Sequence, residues 1–329
     1  MESSGGLLAD QYHVTYYHAV TDFQETQMTE QTSRPWRGIH VATALPFRAD
    51  LSVDYDAFAA HVAWLADNGM DGVTPNGSLG EYHTLTDEER ARVVEVAVEA
   101  SPDGFGVMPG VAAYGSQETV RWIEQAGEAG AQSVLLLPPN AYRADRETVV
   151  EHYRAAAAVG VPVVAYNNPY DTKVDLTPDL LAELYDEGLV VAVKEFTGDV
   201  RRAYEIRELA PGLDLLIGSD DVLLELGLAG AVGWIAGYPN AVPEVCRRLY
   251  DLATSGLPEH VAEALPLYRD LHPLLRWDSK TEFVQAIKLS MDVVGRPGGV
   301  CRPPRRPLSP EIAERVSADT KRVVAQGYR

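Results

Sequence analysis

Eight short apolar runs, each followed by a stretch of helical length, constrain the fold of this chain more than any other feature. The runs lack the polar alternation of a strand with one solvated face, so they indicate strands buried on both faces. They begin 17 to 34 residues apart, which fits repeated βα units and is too long for hairpins. The runs are 38–47, 72–77, 106–111, 133–139, 162–169, 190–196, 213–220 and 230–237.

This pattern predicts an α/β fold, a (β/α)8 TIM barrel with additional C-terminal helices. Eight parallel strands covered by helices close naturally into a barrel. The competing architecture, an open doubly wound sheet, would carry a glycine-rich phosphate-binding turn after the first strand, where ALPFRAD stands instead. The residues after the eighth unit are long enough to form further helices beside the barrel.

The same pattern divides the chain into three parts. Residues 1–36 show neither helical nor strand periodicity, and we expect this N-terminal extension to lie outside the fold. A second methionine, Met28, offers an alternative start just before the first strand. We assign residues 37–240 to the barrel and residues 241–329 to a C-terminal helical region packed on it.

Charge and composition narrow the range of partners. The chain has 28 Lys and Arg against 48 Asp and Glu, a formal net charge of -20, which repels phosphate backbones and anionic lipids. No apolar run approaches the roughly 20 residues that cross a bilayer, and no signal peptide pattern opens the sequence. Cys246 and Cys301 are too few for a disulfide framework or a four-cysteine metal site. We expect a cytoplasmic protein without a nucleic-acid or membrane partner.

Lys194 interrupts the apolar run VVAV near the end of the sixth predicted strand. A lysine inside an apolar barrel loses hydration, which lowers its pKa and makes a neutral amine available to form a Schiff base with a ketone. A purely structural pairing with Glu195 or another carboxylate is the alternative interpretation. Active sites of such barrels lie at the carboxyl ends of the strands, where this residue stands.

Two further features fall at the same predicted end of the barrel. Tyr166 ends the fifth run, one strand from Lys194, where its phenol could transfer protons or simply hydrogen-bond to the rim backbone. The turn at 75–86 contains Gly77 and Ser78, whose backbone amides and hydroxyl could hold a carboxylate without arginine. Each feature alone is also compatible with an ordinary structural role.

Together these segments resemble a known family. GSLGE at 77–81, YNNP at 166–169 and VKEFTGD at 193–199 resemble, in order, three signatures of the dihydrodipicolinate synthase and N-acetylneuraminate lyase family. The resemblance implies a barrel enzyme, a homotetramer or dimer, that uses a lysine imine and no metal or organic cofactor. Lys194 matches the imine-forming lysine and Tyr166 the catalytic tyrosine. Ser78 matches the first hydroxyl of the carboxylate-binding turn.

Departures from the family pattern bear on the reaction. Leu79 stands where the family has a second hydroxyl, and Asp171 stands where the biosynthetic synthases have an arginine for the second substrate's carboxylate. Asn140 and Tyr142 occupy the segment where those synthases carry a Tyr-Tyr pair. The remaining sequence most resembles the branch of 2-keto-3-deoxy-sugar-acid dehydratases and the hydroxyproline-pathway deaminase. The segment GGVCRPP also resembles hydratase-aldolases that release pyruvate.

The sequence therefore predicts a Schiff-base-forming lyase of a 2-oxo acid, which dehydrates, deaminates or cleaves a hydroxylated substrate. A pyruvate-condensing or pyruvate-releasing aldolase is the first alternative, and a non-catalytic barrel that binds 2-oxo acids is the second. Asp220 and Asp221 resemble a metal pair by residue type, but acids in the first turn of a helix explain them better. Substrate selection beyond the carboxylate turn is expected from His83, Asn140, Tyr142, Asn168, Asp171 and Ser219.

Overall fold

A computed structural model describes residues 34–139 and 142–328 of the protein. Its strands are β1 (Gly38–Ala42), β2 (Gly72–Thr74), β3 (Gly106–Val107), β4 (Val134–Leu136), β5 (Val163–Asn167), β6 (Ala192–Glu195), β7 (Asp214–Ile217) and β8 (Gly233–Ala236). The helices of the barrel are α1 (Tyr55–Asp67), α2 (Asp87–Ala100), α3 (Ser116–Glu128), α4 (Arg146–Ala157), α5 (Pro169–Thr172), α6 (Pro178–Asp186), α7 (Arg201–Leu209), α8 (Leu223–Leu228) and α9 (Pro243–Thr254). Three more helices follow, α10 (Pro258–Leu275), α11 (Phe283–Val293) and α12 (Pro310–Ala325).

The eight strands form one parallel sheet that closes on itself. Neighbouring strands follow the order β3, β2, β1, β8, β7, β6, β5, β4. A parallel bridge between Gly110 and Leu135 joins the two ends, and the Leu135 amide donates to the Pro109 carbonyl at 2.9 Å. The predicted (β/α)8 barrel with C-terminal helices is thereby confirmed.

Strand residues alternate between two apolar layers, because successive side chains point to opposite faces of a sheet. On β6, Val193 packs in the outer layer between strands and helices, whereas Ala192 packs in the inner layer with Leu216 and Ile235. Lys194 follows in the inward series and is 6% exposed. The apolar run that predicted a buried strand therefore also carries the lysine into the barrel interior.

Helix α2 shows how local sequence sets the helix boundaries. The Thr86 hydroxyl accepts from the Glu89 amide at 3.2 Å, and the Glu89 carboxylate accepts from the Thr86 amide at 3.1 Å. This reciprocal capping satisfies amides that have no partner inside the helix. It fixes the start of α2 directly after the turn at 75–86.

The fold begins earlier than the boundary that we placed after residue 36. Trp36 is buried, and its Nε1 donates to Asp214 Oδ2 at 2.8 Å at the start of β7. Arg34 and Arg37 also donate to Asp214, at 3.0 Å and 2.9 Å. Residues 34–36 thus close the amino-terminal end of the barrel, while residues 1–33 lie outside the described residues.

The βα alternation also continues past residue 240, where we placed the end of the barrel. Helix α9 follows β8 and packs on α8, so it completes the eighth βα unit of the barrel. Helix α10 packs on α9, and α12 packs on both α10 and α11. Within residues 34–139 and 142–328, every helix is too short or too polar to cross a membrane.

Candidate active site

A cavity of about 1070 Å³ opens at the carboxyl ends of the strands. Its wall combines the turn after β2, the ends of β5 and β6, the loop after β7 and a segment between α10 and α11. Nine of the residues predicted from the sequence line it: Gly77, Ser78, Leu79, His83, Tyr166, Asn168, Asp171, Lys194 and Ser219.

Lys194 and Tyr166 are paired across neighbouring strands at the floor of this cavity. They are register partners on β6 and β5, and Lys194 Nζ lies 4.2 Å from the centroid of the Tyr166 ring. The Phe196 ring centroid is 5.8 Å from the same nitrogen. Burial lowers the pKa of Lys194 to about 8, although Asp278, Asp220 and Asp171 act in the opposite direction. A fraction of this amine is therefore neutral near pH 7.

Glu195 is held away from its neighbour Lys194, in contrast to the structural pairing that we considered. Its carboxylate accepts from Asn167 Nδ2 at 2.9 Å and from the Thr197 amide at 2.6 Å. Adjacent residues of a strand point to opposite faces, so the two side chains lie on different sides of the sheet. The buried lysine is thus left directed into the cavity.

The Tyr166 phenol is buried and protonated. Burial raises its pKa above the ordinary value, and the negative charges of Asp278 and Asp171 add to this effect. Asn168 Nδ2 donates to Tyr166 Oη at 3.3 Å, which leaves the phenolic proton free to bond elsewhere. The arrangement suits a proton donor next to the Lys194 amine.

The turn after β2 is shaped by two residues in the left-handed region. Asn76 has φ 57 and Glu81 has φ 54. Gly77 and Ser78, which lie between these two residues, line the cavity. Leu79, at the position where the family has a second hydroxyl, is buried. Backbone amides and a single hydroxyl are therefore the groups that this turn offers to a carboxylate.

The outer wall of the cavity is polar and acidic. Asn168 Nδ2 donates to Asp171 Oδ2 at 2.9 Å, which fixes that carboxylate in the short helix α5. Across the cavity, the hydroxyls of Ser219 and Ser279 each donate to Asp221 Oδ1 at 2.7 Å. These groups are acceptors for hydroxyl or ammonium substituents.

The remaining predicted residues have different outcomes. His83 lines the cavity with much of its side chain exposed, and partial desolvation lowers its pKa below the ordinary value. Tyr142 is 62% exposed and lies outside the cavity lining. Asn140 falls outside the described residues. Asp220, considered as a helix start, begins a 3-10 turn and accepts from Trp234 Nε1 at 2.9 Å.

Sequence reasoning missed Asp278, which lines the cavity from the segment between α10 and α11. The segment RWDSK has no strand periodicity and follows a helical stretch, so it gave no reason to expect a site residue. Its neighbours Arg276, Ser279 and Lys280 are also polar, so the charge of Asp278 gave no local signal of a site either.

Comparisons with known proteins find relatives over most of the chain. Residues 35–323 match the sequence profile of the dihydrodipicolinate synthetase family. A 4-hydroxy-tetrahydrodipicolinate synthase of Methanothrix thermoacetophila is 33% identical over 282 residues, 84% of this chain and 93% of that protein. A DapA-like lyase of Rhizobium meliloti is 30% identical over 289 residues, 88% of this chain and 96% of that protein.

A solved structure supports the same relationship. YagE, a prophage protein of Escherichia coli K12 that belongs to the dihydrodipicolinic acid synthase family, was solved in complex with pyruvate. It superposes with a TM-score of 0.80 at 27% identity, covering 88% of this chain and 98% of that protein.

Proposed function

Since the chain belongs to the dihydrodipicolinate synthetase family and is therefore a lyase, we propose that it forms a Schiff base between Lys194 and a 2-oxo acid. The observation that carries the proposal is the buried Lys194 amine, 4.2 Å from the Tyr166 ring centroid inside the cavity. A buried lysine with a lowered pKa is the nucleophile that carbonyl chemistry requires. No metal or organic cofactor takes part in this mechanism.

The chemistry follows from the positions of the side chains. The substrate carboxylate binds at Gly77 and Ser78, and Lys194 Nζ attacks the C2 carbonyl. The protonated imine withdraws electrons, so the C3 proton can leave and an enamine forms. Tyr166 donates and accepts the protons of these steps.

We propose dehydration, deamination or retro-aldol cleavage of a hydroxylated 2-oxo acid as the overall reaction. Asp171, Asn168 and Ser219 support this assignment because they offer hydrogen-bond acceptors beyond the imine. From the enamine, a C4 hydroxyl or amino group can leave. In the cleavage reaction the C3–C4 bond instead breaks in the protonated imine: the C4 hydroxyl loses its proton and becomes a carbonyl, and the electron pair of the broken bond forms the enamine.

The alternative is a pyruvate-condensing reaction. It is favoured by the 33% identity to a protein named 4-hydroxy-tetrahydrodipicolinate synthase. A carboxylate at Asp171, where an arginine would bind the second substrate, opposes it.

Borohydride trapping tests the proposal directly. Pyruvate and a set of longer 2-oxo acids are each mixed with the protein and reduced, and the adduct is mapped by peptide mass. We expect the added mass at Lys194 and no adduct in Lys194→Ala. An adduct at another lysine, or none with any 2-oxo acid, would contradict the mechanism. Trapping without turnover of any substrate would instead support the non-catalytic binding barrel.

Assembly into a tetramer or dimer stays a prediction from the family resemblance. Light scattering on the purified protein measures it.

A further inference from the structure

Asp278 comes from outside the eight βα units, yet it shares the cavity with Lys194. It lies in the connection between α10 and α11 and is 8% exposed. The Asp278 charge acts on the pKa of Lys194, and the Lys194 charge acts on that of Asp278. The C-terminal region therefore contributes a carboxyl group to the cavity that holds the amine.

One hydrogen bond fixes the Asp278 carboxyl group, and a glycine leaves room for it. Oδ2 accepts from the Asp220 amide at 3.2 Å. A Cβ atom added at Gly237 would lie 2.6 Å from Asp278 Oδ1, so a side chain there would collide with the carboxyl group. Glycine at 237 leaves the space that Asp278 occupies.

Asp220 is also buried nearby, but its oxygens are already engaged. They accept from Trp234 Nε1 at 2.9 Å, from the Gly237 amide at 3.2 Å and from the Tyr238 amide at 2.8 Å. Asp278, which lines the cavity, is the carboxyl group of this pair that a bound substrate can reach.

Lys194 and Asp278 line the same cavity without forming a direct ion pair. In the described part of the chain, no carboxylate oxygen lies within 4.0 Å of Lys194 Nζ. The two groups thus border a space that a carbonyl substrate can enter.

We infer that Asp278 carries protons while the imine at Lys194 forms: through an intervening water molecule it takes one proton from the Lys194 ammonium, and it returns that proton to the departing hydroxyl. This inference rests on the proposed function, because it concerns the same imine.

The protons balance across the step. Asp278 accepts the first proton of the ammonium, and the free amine attacks C2. The carbonyl oxygen takes a proton from Tyr166, which recovers one from the nitrogen, giving a carbinolamine. Asp278 then protonates the C2 hydroxyl, the C–O bond breaks with its electron pair on oxygen, and water leaves. The nitrogen pair forms the C=N bond, and the remaining proton stays on the imine.

The acid-base properties of the two groups agree with this role. Burial raises the pKa of Asp278 to about 6 and lowers that of Lys194 to about 8, so their affinities for a proton approach each other. The titratable groups that interact with Asp278 are Lys194, Asp220, Asp221, Tyr166 and Tyr238.

The test measures the rate of imine formation in Asp278→Asn. Protein and pyruvate are mixed, quenched with borohydride at short times from pH 6 to 10, and the Lys194 adduct is quantified. We expect a rate about 100-fold lower at every pH, the usual scale for loss of a positioned acid-base group. If Asp278 acted only through its charge, its removal would lower the Lys194 pKa and speed adduct formation at neutral pH. That acceleration, or an unchanged rate, would overturn the inference.

Two further variants separate chemistry from structure. Asp319→Asn disturbs the same segment, since Asp319 Oδ2 accepts from Trp277 Nε1 at 2.9 Å, and we expect it to keep the wild-type rate. Asp278→Ala with added formate supplies the missing carboxylate, and we expect the rate to rise with formate concentration. If the Asp278→Ala protein is folded and formate does not raise its rate of adduct formation, proton transfer by Asp278 would be contradicted. Absence of any wild-type adduct would instead reject the proposed function itself.

Discussion

Lys288 Nζ lies 2.7 Å from Glu81 Oε1, and the two side chains are 1% and 0% exposed. The same nitrogen donates to the Val300 carbonyl at 2.8 Å, and the Arg302 amide donates to Glu81 Oε2 at 3.0 Å. This buried pair connects α11 and the GGVCRPP segment to the turn that carries Gly77 and Ser78. The shape of the carboxylate-binding turn therefore depends on the C-terminal region.

Lys288→Met should destabilise the protein, because it leaves the Glu81 carboxylate buried without its cation. We expect the free energy of unfolding to fall by about 3–5 kcal/mol, measured by urea denaturation. The double variant Glu81→Leu with Lys288→Met removes both charges and should recover much of the loss. A loss below about 1 kcal/mol in the single variant would show that the pair contributes little.

Lys194→Met should stabilise the protein at neutral pH. The folded-state pKa of Lys194 is about 8, below its ordinary value of 10.5, because the ammonium is buried. Between pH 8 and 10.5 the unfolded chain binds more protons than the native state, so wild-type stability rises with pH across this window. Below pH 8 the buried charge costs about 3 kcal/mol. Urea unfolding of both proteins from pH 7 to 10.5 should show that the difference in the free energy of unfolding between the variant and the wild type becomes smaller as pH rises. A difference that does not change with pH would contradict a lowered pKa of Lys194.

Tyr166→Phe tests the proton donor. The ring and its packing on Phe196 remain, but the phenolic hydroxyl is lost. We expect kcat to fall by roughly 100-fold or more with little change in KM. Adduct mass at Lys194 should still be detected after long incubation with borohydride. An unchanged kcat would show that Tyr166 only forms part of the cavity wall and transfers no proton.

Asp171 should decide between the candidate reactions. Its negative charge repels a second carboxylate, so dehydration or cleavage of a hydroxylated 2-oxo acid should outrun condensation of pyruvate with aspartate semialdehyde. Parallel assays on one preparation measure the ratio of the two rates.

Reversing the charge should move that ratio. Asp171→Arg is expected to shift it toward condensation by on the order of tenfold, equivalent to about 1.4 kcal/mol. The matched control is Asp186→Arg, which changes an exposed acid at the end of α6 and should leave the ratio as it was. Faster condensation than dehydration in the wild type would reject the dehydratase assignment and leave the imine mechanism intact.

The barrel and the Lys194–Tyr166 pair could be predicted from the sequence because both depend on local patterns. Strands buried on both faces give continuous apolar runs, and a lysine that breaks such a run near its carboxyl end stands out. The cavity residues of the turn at 75–86 followed from glycine and serine at a βα junction.

Asp278, Trp36 and Lys288 could not be predicted in this way. Asp278 reaches the cavity through the packing of α10 and α11 on the barrel, which no local periodicity encodes. Trp36 is buried, and its indole donates to Asp214, which lies 178 positions further along the chain. Lys288 pairs with Glu81 across 207 positions of sequence, a separation that no local pattern encodes.

The Asp214 carboxylate, which binds Arg34, Trp36 and Arg37, also limits how early the amino-terminal end of the barrel can be sealed. The residues that seal the amino-terminal end of the barrel emerge first during synthesis, but their partner comes about 180 residues later. Contacts between such distant segments form slowly, because a long loop must be ordered first. A nascent chain that has not reached β7 therefore leaves the Trp36 indole without its acceptor, and the barrel is closed only once most of the protein has been made.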